Sequence, residues 1–163
     1  MKNLLLLAVA LVFSATCATA QISNVKIEND KGELVSVASM VDGKTPMIIS
    51  FWSTTCKPCI RELNTVNDVM EDWKEMADFR VIAVSVDDSR SASKAKAMAA
   101  GNGWEDITVL YDKNQELKRA MNVNSIPQVF VVDGTGKIVY AHTGYTPGCE
   151  TELLRVIKEH QTK

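Results

Sequence analysis

The sequence predicts an α/β fold in three layers, with one central mixed β-sheet and helices on both faces. Two nearly continuous apolar runs of strand length, Met47-Ile48-Ile49-Ser50-Phe51-Trp52 and Arg80-Val81-Ile82-Ala83-Val84-Ser85-Val86, have the pattern of central strands covered on both sides. Between them Ile60, Leu63, Val66, Met70, Trp73 and Ala77 recur in steps of three or four. That spacing marks an amphipathic helix of about five turns, and the whole is a β-α-β unit with an expected right-handed crossover. Further along, Gln128 to Asp133 and Lys137 to Thr143 flank Gly134-Thr135-Gly136. This is a hairpin with glycine at the tight positions, which adds antiparallel strands to the parallel ones.

The remaining elements follow in chain order. Lys2, the apolar stretch Leu4 to Phe13 and the small residues Ala18-Thr19-Ala20 read as a signal peptide, residues 1–20, cleaved before Gln21. The apolar stretch falls short of the roughly 20 residues that span a bilayer. Lipid attachment at Cys17 is the weaker alternative, because Ser14-Ala15-Thr16 lacks the usual residues of a lipobox. Val25 to Ala38 alternates loosely around Asn29-Asp30-Lys31-Gly32, a peripheral hairpin or two short strands. Ser89 to Ala100 is an alanine-rich helix stopped by Gly101-Asn102-Gly103, and Ile107 to Tyr111 is a short strand. Asp112 is expected to cap the next helix in a capping box with Gln115, with Leu117, Ala120 and Met121 as its buried stripe. Thr146-Pro147 is expected to open the last helix, burying Leu153, Leu154 and Ile157. Trp73 and Met76 are expected in the core.

Without repeats, linkers or low-complexity blocks, residues 21–163 make one domain, expected to be monomeric. A formal net charge of −2 and no basic run exclude nucleic acid and anionic membrane surfaces as partners. Beyond the leader, three cysteines remain: Cys56, Cys59 and Cys149. A tetrahedral zinc site wants four ligands, and Cys149, His142 and His160 lie scattered in sequence, so neither metal nor cofactor is expected. His142 is expected to be structural, and Cys149, in the first turn of the last helix, a shielded thiol; a regulatory or dimer-forming role for Cys149 is the alternative.

Cys56 and Cys59 sit where a buried strand meets a long helix. At that point Cys56 faces unpaired backbone amides and the positive end of the helix dipole, both of which favour thiolate over thiol. The dipole alone is worth up to about 2 kcal/mol in a favourable partly buried geometry. Lys57 adds a solvated positive charge, and Pro58 costs little in a first turn that has no amide bond to lose. Cys56 is therefore the expected nucleophile. Cys59, one turn further in, is the expected resolving thiol that breaks the mixed disulfide.

Phe51-Trp52-Ser53-Thr54-Thr55-Cys56-Lys57-Pro58-Cys59 with the distant Ile126-Pro127 resembles the thioredoxin-like thiol-disulfide oxidoreductases. The leader, the extra N-terminal strands and Arg61-Glu62 look most like their TlpA/ResA branch, which acts outside the bacterial inner membrane. The resemblance implies a thioredoxin-like fold and a cis Ile126-Pro127 peptide. With Trp52, Lys57 and Pro58, that peptide would frame or support a substrate groove. It also implies a periplasmic reductant of disulfides in exported proteins, without a cofactor, fed by a membrane thiol-electron donor; cytochrome c maturation is one process such proteins serve. Two positions depart from the pattern. Ser50 stands where thioredoxins usually bury an aspartate, leaving Glu62 or water to take the Cys59 proton. Asn64 replaces a proline that kinks the helix in many relatives. A peroxiredoxin-like peroxidase is the alternative enzyme, although Ile49 occupies the position where its motif needs proline. A binding module with a merely structural bridge is the third reading.

Overall fold

The computed structural model describes residues 20–161. The signal peptide and Cys17 lie outside the described residues, apart from Ala20 at the edge. Among the described residues no helix is long and apolar enough to cross a membrane.

The elements run β1 (Lys26–Glu28), β2 (Leu34–Ser36), a single 3-10 turn (Val37–Met40), β3 (Met47–Trp52), α1 (Lys57–Met76), β4 (Arg80–Ser85), α2 (Ala92–Gly101), β5 (Ile107–Tyr111), α3 (Glu116–Ala120), β6 (Gln128–Val132), β7 (Ile138–Thr143) and α4 (Glu150–Glu159). One seven-stranded sheet has the order β2-β1-β5-β4-β3-β6-β7. The centre β5-β4-β3 is parallel, while β6, β7, β1 and β2 join antiparallel.

Successive strand residues point to opposite faces, so the continuous apolar run of β3 serves two cores. Ile48 and Trp52 pack with α1 residues Leu63, Val66, Met70 and Trp73, with α2 residues Ala95 and Ala99, and with α4 residues Leu153, Val156 and Ile157. Met47, Ile49 and Phe51 pack on the other side with Leu117 of α3, Val37 and Ile22. The second face is thus covered by one short helix, the 3-10 turn and the N-terminal segment.

On the α1 face the register sets up an uncommon row. Ser50 pairs with Ala83 on one side and Val129 on the other, and Val129 pairs with His142. Paired residues share a face, so Ala83, Ser50, Val129 and His142 form one row under α1, and its small members leave room there for something other than a leucine.

Several local expectations change. Asp112 does cap α3, accepting from the amides of Glu116 and Lys118 at 2.8 Å each. Gln115, however, takes a left-handed conformation (φ 54°) and sends its side chain to the Val86 carbonyl, so the capping box does not form. Leu117 and Met121 are buried as expected and Ala120 is exposed. Thr146-Pro147 forms a turn ahead of α4 rather than its first residues. Gly148 follows at φ 96°, which breaks the helical path, and the helix starts after Cys149. Met76, at the end of α1, is 47% exposed because the helix has run past the sheet. α1 itself is unbroken from Lys57 to Met76. Asn64 faces α2 and its following turn, accepting from Trp104 Nε1 at 2.8 Å.

Candidate active site

The loop between β3 and α1 is fastened before the cysteines begin. The Val86 amide donates to the Trp52 carbonyl at 2.9 Å. Asp87, one residue further, accepts from the Thr54 amide, the Thr54 hydroxyl and the Ser85 hydroxyl, each at 2.9 Å. Parallel pairing puts Trp52 level with Ser85, so the end of β4 is the natural anchor for this loop. Beneath it, Trp52 is fully buried and stands edge-on to Trp104 with ring centroids 4.9 Å apart.

Cys56 occupies the N-cap of α1 and is joined to Cys59 in a disulfide. The Cys59 amide donates to Cys56 Sγ at 3.3 Å, so one of the free amides of the helix start points at this sulfur. Cys56 is half-buried and Cys59 has no exposed surface. Within the pair, sulfur chemistry can therefore begin from solvent at Cys56 and not at Cys59. Ile126-Pro127 is cis. Because Phe51 pairs with Gln128, this peptide lies level with the residues that lead into the cysteine loop. Pro127 is buried, with its carbonyl held by the Gly144 amide at 2.8 Å, while Ile126 keeps some surface.

Glu62 lies one turn after Cys59 on the same side of α1 and is 1% exposed. It enters the gap left by the Ser50 row. Ser50 Oγ donates to its Oε2 at 3.2 Å, and His142 Nε2 stands 3.1 Å from Oε1. Cys149 closes the group. A carboxylate oxygen of Glu62, a ring nitrogen of His142 and the Cys149 sulfur all lie within 4.8 Å of one another. Burial, reinforced by the neighbouring Glu62 charge, pushes the Cys149 thiol pKa up.

The sequence matches the AhpC/TSA family over residues 18–141, well over half of its length. The chain belongs to the AhpC/TSA family. Among curated relatives, the thiol:disulfide interchange protein DsbE of Tatumella citrea is 29% identical over 113 residues, covering 69% of this chain and 57% of that protein. The thiol-disulfide oxidoreductase ResA of Halalkalibacterium halodurans is 25% identical over 142 residues, covering 86% of this chain and 77% of that protein. The chain thus spans little more than half the length of the first of these. Among solved structures, an uncharacterized thioredoxin-like protein from Porphyromonas gingivalis is 49% identical with a TM-score of 0.76, covering 88% of this chain and 93% of that one. The fold is accordingly thioredoxin-like.

Within this AhpC/TSA chain, Cys56, Lys57, Pro58 and Ile126 reach the surface at one end of the molecule, and Trp52, Cys59 and Pro127 support them from below. Two features escape a linear reading. Asp87 anchors the loop from 33 residues after its partner Thr54; an aspartate at the end of a buried strand is the signal for it. His142 reaches Glu62 across 80 residues through sheet register. Cys149, His142 and Glu62, scattered in sequence, come together in the fold, while His160 is not among them.

Proposed function

We propose that the protein is a thiol-disulfide oxidoreductase of exported proteins, acting as a reductant. The observation that carries this reading is the Cys56-Cys59 disulfide at the start of a 20-residue helix, with one sulfur reachable and the other sealed. In the dithiol form the Cys56 thiolate attacks a substrate disulfide, forming a mixed disulfide and releasing one substrate thiolate, which takes a proton from water. Cys59 then loses its proton, attacks Cys56 Sγ and releases the second substrate thiol. Two electrons pass to the substrate and the Cys56-Cys59 disulfide remains.

Glu62 is the acceptor we assign to the Cys59 proton, directly or through a water. Its buried carboxylate hydrogen-bonds Ser50, the position where the resemblance leads one to look for an aspartate. Lys57, Pro58 and the Ile126-Pro127 peptide line the substrate groove, with Trp52 underneath. The leader supports export of residues 21–163 to the periplasm, where a membrane thiol donor would restore the dithiol. Disulfide-containing exported proteins are the substrates, and the protein acts as a monomer. A peroxidase reading is disfavoured by Ile49, which stands fully buried in the core where the peroxidase motif needs proline.

Insulin reduction tests the assignment. Cys56→Ser abolishes turnover and Cys59→Ser accumulates mixed disulfides; a Cys56→Ser protein that still reduces insulin would overturn it. Peroxide turnover faster than disulfide exchange would replace it with the peroxidase.

A further inference from the structure

We propose that in the oxidised form, where Cys59 has no proton for Glu62 to accept, Glu62, His142 and Cys149 form a binding site for a thiophilic divalent cation of the zinc class. Three elements supply the donors: α1 gives a carboxylate, β7 an imidazole and the residue before α4 a thiol. Ligands of a tetrahedral zinc ion, at about 2.0–2.3 Å from the metal, stand about 3.3–3.6 Å from one another. His142 Nε2 and Glu62 Oε1 are 3.1 Å apart, and no pair of donor atoms exceeds 4.8 Å. A movement of about 1 Å by the sulfur therefore closes the shell. Cys149 is free to make it, because its side chain caps nothing and forms no disulfide.

The surroundings fit an ion as well. A buried carboxylate is costly unless a cation compensates it. A divalent ion does so, displacing the thiol proton to solvent on binding. Ser50 Oγ already orients the carboxylate from outside, as groups around metal ligands do. The sulfur, nitrogen and oxygen set selects zinc-like ions over magnesium or calcium, which take oxygen ligands. Three protein ligands leave one position for water.

The test uses the oxidised full-length mature protein titrated with Co2+ and then Zn2+. In that form Cys56 and Cys59 are tied to each other, so the outcome does not depend on whether the pair exchanges with substrates. One equivalent of Co2+ should give thiolate-to-cobalt charge-transfer absorption that Zn2+ removes, and Zn2+ should raise the Tm. Cys149→Ser should lose the absorption, and His142→Ala should weaken Co2+ affinity by about tenfold or more. Circular dichroism confirms that each variant is folded. Absence of the absorption in the unmutated protein overturns the proposal. So does an affinity unchanged by His142→Ala, which would mean that the thiol alone captures the metal.

Discussion

Two carboxylates are buried close to the cysteines, and they are held in opposite ways. Asp87, at the end of β4, accepts an amide and two hydroxyls at 2.9 Å each. Glu62, on the inner face of α1, meets only a serine hydroxyl at 3.2 Å and an imidazole at 3.1 Å, with no backbone amide. Asp112 resembles Asp87: it is buried and spends both oxygens on helix amides at 2.8 Å. A carboxylate anchored by a backbone amide fixes chain geometry, since that donor cannot leave. One whose partners are a hydroxyl and an imidazole can exchange a proton with its surroundings, because both partners can turn or change roles.

The largest expected effect tests the second half of this contrast. Glu62→Gln keeps the shape and the hydrogen-bonding capacity, so stability should stay within about 1 kcal/mol. Resolution of the mixed disulfide by Cys59 should slow about 100-fold, the usual worth of a positioned base, while the first attack by Cys56 is unchanged. Stopped-flow trapping of the mixed disulfide separates the steps. Resolution at the unmutated rate would break the contrast by making Glu62 another structural carboxylate.

Asp87→Ala tests the first half. It strands the Thr54 amide and the two hydroxyls and should cost on the order of 3 kcal/mol, as lost bonds to a buried charge do. The urea midpoint should fall accordingly. An unchanged midpoint would mean that the loop is fastened by the Trp52-Val86 bond alone.

The difference between these residues also explains what could be read from the sequence. β3, β4 and α1 were legible because burial on two faces or one stripe leaves a periodic mark, and the Cys56-Cys59 pair because its chemistry depends on being at a helix start. Gln115 misled because a box pattern says nothing of the backbone angle at its third residue, and Thr146-Pro147 misled because Gly148 diverts the chain before the helix begins. His142 was out of reach for a different reason. Its meeting with Glu62 depends on register across Ser50, Val129 and His142, and register emerges only when the strands pair.

A third, exposed carboxylate sharpens the comparison with the smallest effect. Asp42 lies in the loop before β3 and accepts from the Thr45 amide at 2.7 Å and the Lys44 amide at 2.9 Å, with Arg80 Nη2 at 3.1 Å. The Thr45 amide first and the Lys44 amide next draw its pKa down to about 2. Because the folded value lies below the ordinary one of 3.8, this residue contributes stability that is present above pH 3.8 and is lost as the pH falls toward about 2. Asp42→Asn should therefore flatten the acid limb of the stability curve slightly and leave neutral exchange rates alone. A midpoint near 2 for the Asp42 carboxyl in an NMR titration would show that amide donors hold a carboxylate ionised even at the surface. A midpoint at the ordinary value would deny amides that power, and with it the reason for setting Asp87 and Glu62 apart.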